Sequence, residues 1–190
     1  MRANRAGQSA LLLLDAVGVL AAGKIPYAVI GAMAASVHGI VRASMDADAV
    51  LSLTIQETPK LEREFRAAGF HTELRRGDPD DPIAGVLSLT DPYANRVDLL
   101  VGLRGLEPGA FSRTIGLIFQ DVELRVVGLE DFIAMKVFAG GPQDLADARA
   151  AIVAAGGHLN RSLAMELARR FGRDPAKVLE RLVAESGASS

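Results

Sequence analysis

Apolar residues recur at helical spacing near the start of the chain. Four leucines at positions 11–14 are interrupted by Asp15, and apolar residues then continue three to four apart. This spacing predicts an amphipathic helix over about residues 9–23, closed by a glycine. Arg2 and Arg5 before the leucines faintly imitate a secretory signal peptide, but the acidic interruption favours the helix.

Short alternating strands and helices follow up to residue 128, and helices alone after it. Strands are predicted at 26–30, 70–75, 83–89, 96–101, 114–119 and 122–127, and another contains residues 46 and 48 and ends at residue 53. Helices are predicted at 32–37 and 57–68. The later helices are predicted at 129–139, 143–155, 161–171 and 174–185, the last with Asp174 as its N-cap. The pattern indicates an α+β fold: a mixed β-sheet core flanked by helices over 1–128, and a C-terminal helical region over 129–190.

Composition narrows the function classes. The chain has 190 residues, 49% of them apolar, and a formal charge of −2, so we expect a globular protein without a broad nucleic-acid-binding face. The absence of cysteine excludes a disulfide scaffold, a thiolate zinc site and a cysteine nucleophile. It is consistent with a reducing compartment, and we expect a cytoplasmic location. No stretch is long and apolar enough to span a membrane.

Acidic side chains stand out on two predicted strands. Asp46 and Asp48 are two residues apart and therefore point to the same face of their strand, as Asp98 does on a later one. The opposite face of the first strand is apolar and predicted to be core, with Met45, Ala47, Ala49 and Leu51. If the strands are neighbours, the three carboxylates converge on one polar patch that could bind Mg²⁺ or Mn²⁺ through oxygen ligands. The alternative is a solvent-facing sheet surface.

Residues before the first two acids could bind an anion. Gly31 ends a strand and opens a short helix, a geometry that presents backbone N–H groups to phosphate; the alternative is an ordinary turn glycine. Arg42 and Ser44 lie in the loop before the acids and are predicted to contact the phosphates of a nucleotide, the guanidinium of Arg42 as a forked donor. Alternatively, Arg42 pairs with one of those aspartates.

Lys136 is the third candidate, in a helix that is otherwise almost all apolar. Burying an ammonium group is costly without a partner, and Asp144 and Asp147, three apart on the next helix, could supply one. Lys136 could contact a triphosphate, or it could be a snorkelling lysine in a salt bridge. Asp144 could simply offset the helix dipole, and for Asp147 both interpretations remain open.

Two other sets of polar residues are interpreted as structural. The acids of the turn-rich loop 77–82 could be a metal site, but Asp beside Pro is ordinary turn chemistry. His38, His71 and His158 are scattered without metal-ligand spacing, and we expect them to be structural or surface residues.

At these residues the chain resembles the nucleotidyltransferase superfamily with its polymerase-beta-like core. Gly31-Ala32, Asp46-Ala47-Asp48 and Asp98 match the family order of a glycine, a short helix, two acids and a third acid. The stretch from Leu129 through Lys136 to Asp144 and Asp147 is similar to the AbiEii-type branch, which includes toxins of toxin–antitoxin systems. The likeness covers roughly residues 25–150.

The resemblance implies transfer of a nucleoside monophosphate from an NTP, with Mg²⁺ (or Mn²⁺) held by Asp46, Asp48 and Asp98. It implies that Asp98 assists the attacking hydroxyl and that Gly31, Ala32, Lys136 and Asp144 belong to the nucleotide pocket. A tRNA, a protein or a small molecule could be the acceptor, and an antitoxin could be a partner. Ala32 replaces the usual Gly or Ser, so a degenerate nucleotide-binding or partner-binding module is the alternative. A third possible function is that of a two-metal phosphodiesterase or nuclease, which uses similar carboxylates.

Overall fold

The computed structural model describes residues 1–42 and 44–187. The chain divides into two compact units, of which the first takes the described residues within 1–33, 43–104 and 115–126. The second takes those within 34–42, 105–114 and 127–190. The helical C-terminal part therefore clusters with two earlier segments of the chain.

Among the described residues of the first unit, seven strands form one mixed sheet. They are β1 (Tyr27–Val29), β2 (Asp46–Leu51), β3 (His71–Arg76), β4 (Ile83–Thr90), β5 (Arg96–Leu103), β6 (Ile115–Phe119) and β7 (Val122–Val126). Their order across the sheet is β3-β4-β5-β2-β1-β7-β6. The β2–β5 and β1–β7 pairs are parallel, and the remaining neighbours are antiparallel. The predicted mixed sheet is confirmed.

The described helices also follow the prediction closely. The first unit contains α1 (Ser9–Ala22) and α3 (Thr58–Ala67), while α2 (Gly31–Val37) contains the boundary between the units. The second unit contains α4 (Leu129–Ala139), α5 (Pro142–Ala155), α6 (Arg161–Phe171) and α7 (Arg173–Gly187). No described helix has both the length and the apolar character needed to cross a membrane.

One face of the sheet in the first unit forms the hydrophobic core. Helices α1 and α3 contact the central strands. Alternate residues of these strands are fully or almost fully buried on this face: Ala47, Ala49, Leu51, Leu87, Leu89, Val97, Leu99 and Val101. Because side chains alternate along a strand, the intervening residues must face the other side. Burying one such leucine stabilises the fold by about 2 kcal/mol. The apolar pattern thus determines where the acids point.

The second unit is organised around α4, which contacts α5, α6 and α7. Phe132, Ile133, Ala134 and Val137 are all buried, so the helix is covered on most sides, as expected for a helix that is apolar all round. Arg113 donates to both carboxylate oxygens of Asp131 at 2.8 and 2.9 Å. This bidentate pair ties the 105–114 segment to the first turn of α4.

Three local predictions are wrong. Met45 is 72% exposed, because β2 begins only at Asp46 and the residue before it is not held by the sheet. Asp174 is not an N-cap: α7 already begins at Arg173, which places Asp174 in its first turn, where its charge still favours the dipole. The strand predicted at 96–101 is longer than expected, since β5 continues to Leu103, and a 3₁₀ helix that was not predicted spans Pro108–Phe111.

Candidate functional site

The three predicted acids lie on one face of the first unit's sheet. β2 and β5 pair in parallel with Asp48 directly opposite Asp98 and Asp46 directly opposite Arg96. Partners in register on neighbouring strands share a face and are roughly 4.8 Å apart. Asp46 is exposed, whereas Asp48 and Asp98 are half-buried. The expectation that these strands are neighbours is confirmed.

The row of polar residues continues beyond the two predicted strands. Ser88 on β4 lies opposite Asp98, and Glu73 on β3 lies opposite Ser88. Asp48, Asp98, Ser88 and Glu73 therefore form one row across four strands. We call the face that carries this row, together with Asp46 and Arg96, the acidic face.

Asp98 is held by two neighbours on the acidic face. Its Oδ1 accepts hydrogen bonds from Ser88 Oγ at 2.7 Å and from Arg96 Nε at 2.9 Å, and Arg96 Nη2 also donates to Ser88 Oγ at 3.2 Å. The hydrogen bond to Asp98 raises the pKa of Arg96, as do the charges of Asp98, Asp46 and Glu73, while burial opposes the change. Part of the repulsion between the acids is thus compensated by an arginine on the same strand as Asp98.

The donor types of the acidic face fit a hard divalent cation, but their arrangement does not. Carboxylate oxygens are the ligands that Mg²⁺ and Mn²⁺ prefer. In the described part of the chain, however, no three acidic or histidine side chains are placed to hold a metal ion. The carboxylate of Asp98 is instead turned to Arg96 and Ser88.

Gly31 fits closely against the acidic face. Its φ of +64° lies in the left-handed region, and a Cβ built on it would collide with Oδ2 of Asp48. The backbone N–H of Ile30 donates to the Asp48 carbonyl at 2.9 Å, so the chain before α2 runs directly alongside Asp48. Only glycine suits both the conformation and the space. Ala32, the next residue, is buried.

Ser44 supports the backbone at the start of β2. Its Oγ donates to the Asp46 carbonyl at 2.9 Å and accepts from the Asp46 N–H at 3.3 Å. This is a local turn in which a serine hydroxyl bonds the backbone two residues further along the chain. The predicted phosphate contact of Ser44 remains a prediction.

Four charged residues form a second cluster, within the second unit. Lys136 Nζ lies 2.7 Å from Asp144 Oδ1 and 2.9 Å from Asp147 Oδ2. Arg42 Nε lies 3.8 Å from the same oxygen of Asp147, so Arg42 does not take its predicted structural partner among the first two acids. Asp144 is in the first turn of α5. We call these residues the lysine cluster. The predicted pairing of Lys136 with Asp144 and Asp147 is confirmed.

Burial makes the lysine cluster interdependent. The side chain of Asp147 is fully buried, and that of Lys136 is 11% exposed. Burial alone would raise the pKa of Asp147, but hydrogen bonds from Lys136 and Gln143 and the charges of Lys136 and Arg42 lower it overall. Arg42 Nε is buried without a hydrogen bond and is compensated by its ion pair with Asp147 Oδ2, the oxygen that Lys136 Nζ contacts at 2.9 Å.

The predicted site residues therefore fall into two groups. Gly31, Ala32, Ser44 and the three acids belong to the first unit, while Arg42, Lys136 and Asp144 belong to the second. The structure brings the three acids to one face and brings the other charged residues together in the lysine cluster.

Sequence reasoning missed the partners of Asp98. Arg96 is two residues from Asp98 and therefore on the same face of the strand, but the sequence pattern assigns it no role. Ser88 was missed altogether. The signal was the hairpin loop at 91–95: Asp91 Oδ1 accepts from the N–H groups of Tyr93 and Asn95 and closes the turn that places Ser88 opposite Asp98.

The polar residues predicted to be structural behave accordingly. His38 is buried, and its Nε2 hydrogen-bonds the Val127 carbonyl at 2.9 Å; burial lowers its pKa. In the 77–82 loop, Asp81 accepts a hydrogen bond from the Asp78 N–H at 2.7 Å, which is turn chemistry.

Solved structures share the fold of this chain. ANT(2'')-Ia in complex with adenylyl-2''-tobramycin matches with a TM-score of 0.58 at 12% identity, over 85% of this chain and 98% of that one. The solution structure of ANT(2'')-Ia, an antibiotic-resistance factor, matches with a TM-score of 0.57 at 12% identity, over 94% of this chain and 95% of that one. An antigenic nucleotidyltransferase-like protein from Paracoccidioides brasiliensis matches with a TM-score of 0.53 at 15% identity, over 98% of this chain and 92% of that one.

No protein-family model and no curated protein matches the sequence. The structural matches, at identities of 12% to 15%, show the fold alone. The chain has a nucleotidyltransferase-like fold, as the resemblance in its sequence implied. The AbiEii-type branch remains a prediction.

Proposed function

We propose that this protein transfers a nucleoside monophosphate from an NTP to a hydroxyl-bearing acceptor, and that it does so on the acidic face with Mg²⁺ or Mn²⁺. The observation that carries the proposal is the register of β2 and β5, which sets Asp48 beside Asp98 with Asp46 two residues away. Three carboxylates lie on one sheet face of a nucleotidyltransferase-like fold. This arrangement supports nucleotidyl transfer over the alternative interpretation, in which the acids belong to an ordinary solvent-facing surface.

The proposed reaction is a displacement at phosphorus. The acceptor oxygen forms a bond to the α-phosphorus, the bond from that phosphorus to the bridging oxygen breaks, and pyrophosphate leaves with the bonding electrons. The hydroxyl proton passes to the Asp98 carboxylate and from there to water. Asp46, Asp48 and Asp98 are the acids proposed to hold a divalent cation, which would require their carboxylates to turn toward one point. A cation held there would neutralise charge at the phosphates.

The nucleotide contacts of the other predicted residues rest on different support. For Gly31 and Ala32, the close approach of the Gly31 backbone to Asp48 supports a place beside the reacting phosphates. For Lys136 and Asp144, the contacts implied by the resemblance remain predictions, as does the phosphate contact predicted for Arg42 from its position in the loop before the acids. Within the second unit their charges are satisfied by one another and by Asp147.

We propose a small molecule as the acceptor. The support is a structural neighbour, ANT(2'')-Ia, whose crystal structure is a complex with adenylyl-2''-tobramycin. The formal charge of −2 gives no support to a tRNA acceptor. A toxin role, an antitoxin partner and a protein acceptor remain predictions of the sequence resemblance.

A second candidate function is nucleotide or partner binding without catalysis. Two observations favour it: Asp98 is engaged by Arg96 and Ser88, and Ala32 stands where the family usually has Gly or Ser. In this case the protein would bind a nucleotide with Mn²⁺ but transfer nothing.

One experiment separates the two candidates. The protein and its Asp46→Ala variant are each incubated with α-labelled NTPs, Mg²⁺ and either tobramycin or a cell extract. Labelled acceptor that depends on Asp46 supports transfer. If nothing is labelled and the variant behaves like the parent, the enzyme proposal is wrong. Calorimetry with NTP and Mn²⁺ then tests binding alone.

A further inference from the structure

Ser88 is buried within the acidic face. It is 5% exposed, and its strand, β4, is hydrogen-bonded to β3 on one side and to β5 on the other. Its partner in the β4–β5 register is Asp98. A buried hydroxyl needs a hydrogen-bond partner, and a side chain on an inner strand starts from a backbone that is held on both sides. Ser88 is therefore a rigid support beside Asp98.

Three hydrogen bonds form a closed triangle between Ser88, Arg96 and Asp98. Arg96 Nη2 donates to Ser88 Oγ at 3.2 Å, and Arg96 Nε donates to Asp98 Oδ1 at 2.9 Å. Because a guanidinium only donates, the single hydrogen of the Ser88 hydroxyl is left for Asp98, whose Oδ1 lies 2.7 Å from Oγ. The arginine thus determines that Ser88 is a donor to this carboxylate.

Both donors bind the same oxygen of Asp98. Among the described residues, the hydrogen bonds to this carboxylate come from Ser88 and Arg96 and end on Oδ1, and none of them ends on Oδ2. Each oxygen of an ionised carboxylate has its own lone pairs, so the bonds to Oδ1 leave those of Oδ2 available. The triangle anchors Asp98 by one oxygen and leaves the other able to accept a proton.

We infer that Ser88 is a positioning residue for nucleotidyl transfer, which holds Asp98 by Oδ1 so that Oδ2 receives the proton of the acceptor hydroxyl. The inference rests on the proposed function, which gives that proton to Asp98. The acceptor O–H bond breaks, its electron pair stays on the oxygen that attacks phosphorus, and the proton forms a bond to Oδ2. Ser88 keeps its own proton throughout, so it acts only through Asp98.

A second triangle of the same chemistry lies on the opposite face of the sheet and supplies a matched control. Thr72 Oγ1 accepts from Arg66 Nε at 2.8 Å and donates to Glu62 Oε1 at 3.1 Å, and Arg66 also donates to Glu62. Thr72 is opposite the core residue Leu89 in the β3–β4 register, so its side chain is on the other side of the sheet from Asp98. Removing its hydroxyl breaks a comparable triangle without touching the acidic face.

The test compares the parent with Ser88→Ala, Ser88→Thr and Thr72→Val. Initial rates are measured at varied concentrations of α-labelled NTP, with tobramycin or, where tobramycin is not labelled, with the cell extract. Ser88→Ala should lower kcat about tenfold or more and keep the KM for the NTP within about twofold, because a proton acceptor is displaced while nucleotide contacts remain. Ser88→Thr keeps the hydroxyl and should recover most of the loss, and Thr72→Val should keep the parent's kcat.

Four results would overturn the inference. They are a parent-like kcat for Ser88→Ala, a Ser88→Thr that is as slow as Ser88→Ala, an equal loss of kcat in Thr72→Val, and a loss that urea denaturation explains by the unfolded fraction alone. The outcomes also separate the two proposals. If Asp98→Asn abolishes transfer and Ser88→Ala does not slow it, only this inference fails. If the parent transfers nothing, or Asp98→Asn equals the parent, the proposed function fails with it.

Discussion

The backbone of Gly31 lies directly against the carboxylate of Asp48. With φ at +64°, Gly31 turns the chain from β1 into α2, and the space that a Cβ would need is taken by Oδ2 of Asp48. A glycine that a sequence pattern assigns to phosphate binding is therefore also required by the position of a proposed metal ligand.

Gly31→Ala should destabilise the protein and displace Asp48. We expect a loss of about 1–3 kcal/mol in the free energy of unfolding, because alanine is strained at this φ and its methyl group collides with the carboxylate. Urea denaturation measures the loss. Gly18→Ala is the control: Gly18 is inside α1 with open space around it, so alanine there should stabilise by roughly 0.5–1 kcal/mol. Equal effects at both positions would contradict the explanation.

Asp48→Asn should strongly slow nucleotidyl transfer while the fold is retained. Removing one charge from the proposed metal-binding trio should lower kcat/KM by about 100-fold or more, the size of losses seen when a transition-state electrostatic contact is removed. Initial rates with a labelled NTP measure the loss. Asp80→Asn, in the exposed 77–82 loop, is the control and should keep the parent's rate. A parent-like rate for Asp48→Asn would exclude the acidic face as the reaction site.

Lys136→Met should destabilise the second unit strongly. It leaves Asp147 buried without its main cation, and removing one partner of a buried pair costs about 3–5 kcal/mol. Lys60→Met is the control, because Lys60 is 80% exposed and its ion pair with Glu64 is long, at 4.0 Å. This substitution should change the free energy of unfolding by less than about 0.5 kcal/mol. Adding Asp147→Asn to Lys136→Met should recover part of the loss. No recovery in urea denaturation would show that the lysine acts by packing alone.

His38 should make stability fall as the pH drops below about 6.5, the pKa of an ordinary histidine. Burial lowers its pKa in the folded protein below the ordinary 6.5. The unfolded chain therefore takes up a proton first as the pH falls below about 6.5, and stability is lost there, whereas the contribution is complete above it. Asp147, with its pKa lowered from 3.8, does not titrate near this pH.

The measurement is the melting temperature of parent and His38→Gln on both sides of this pH. Glutamine keeps a donor for the Val127 carbonyl but does not titrate, so its pH dependence should be shallower. His158→Gln, at an exposed position, should follow the parent. If His38→Gln and the parent lose the same stability on acidification, another group is responsible.

The sequence by itself determined the elements and the faces of the strands. Alternation of apolar and polar residues placed Ala47 and Ala49 in the core and Asp46 and Asp48 opposite, because the period of a strand is two whatever surrounds it. The order of a glycine, two acids and a third acid likewise identified the fold. The predictions for Met45 and Asp174 were wrong because both residues lie at the ends of elements. The exact first residue of a strand or helix depends on tertiary contacts that the sequence pattern does not show.

Only the tertiary structure decided which charges meet. Asp48 became a partner of Asp98 through a parallel pairing of strands far apart in sequence, and Ser88 and Arg96 took one oxygen of Asp98. Arg42 pairs with Asp147, about a hundred residues away, and not with the aspartates beside it in the chain. Strand order and helix packing are set by burying apolar surface over the whole chain, and a charge then pairs with whatever that packing brings within reach.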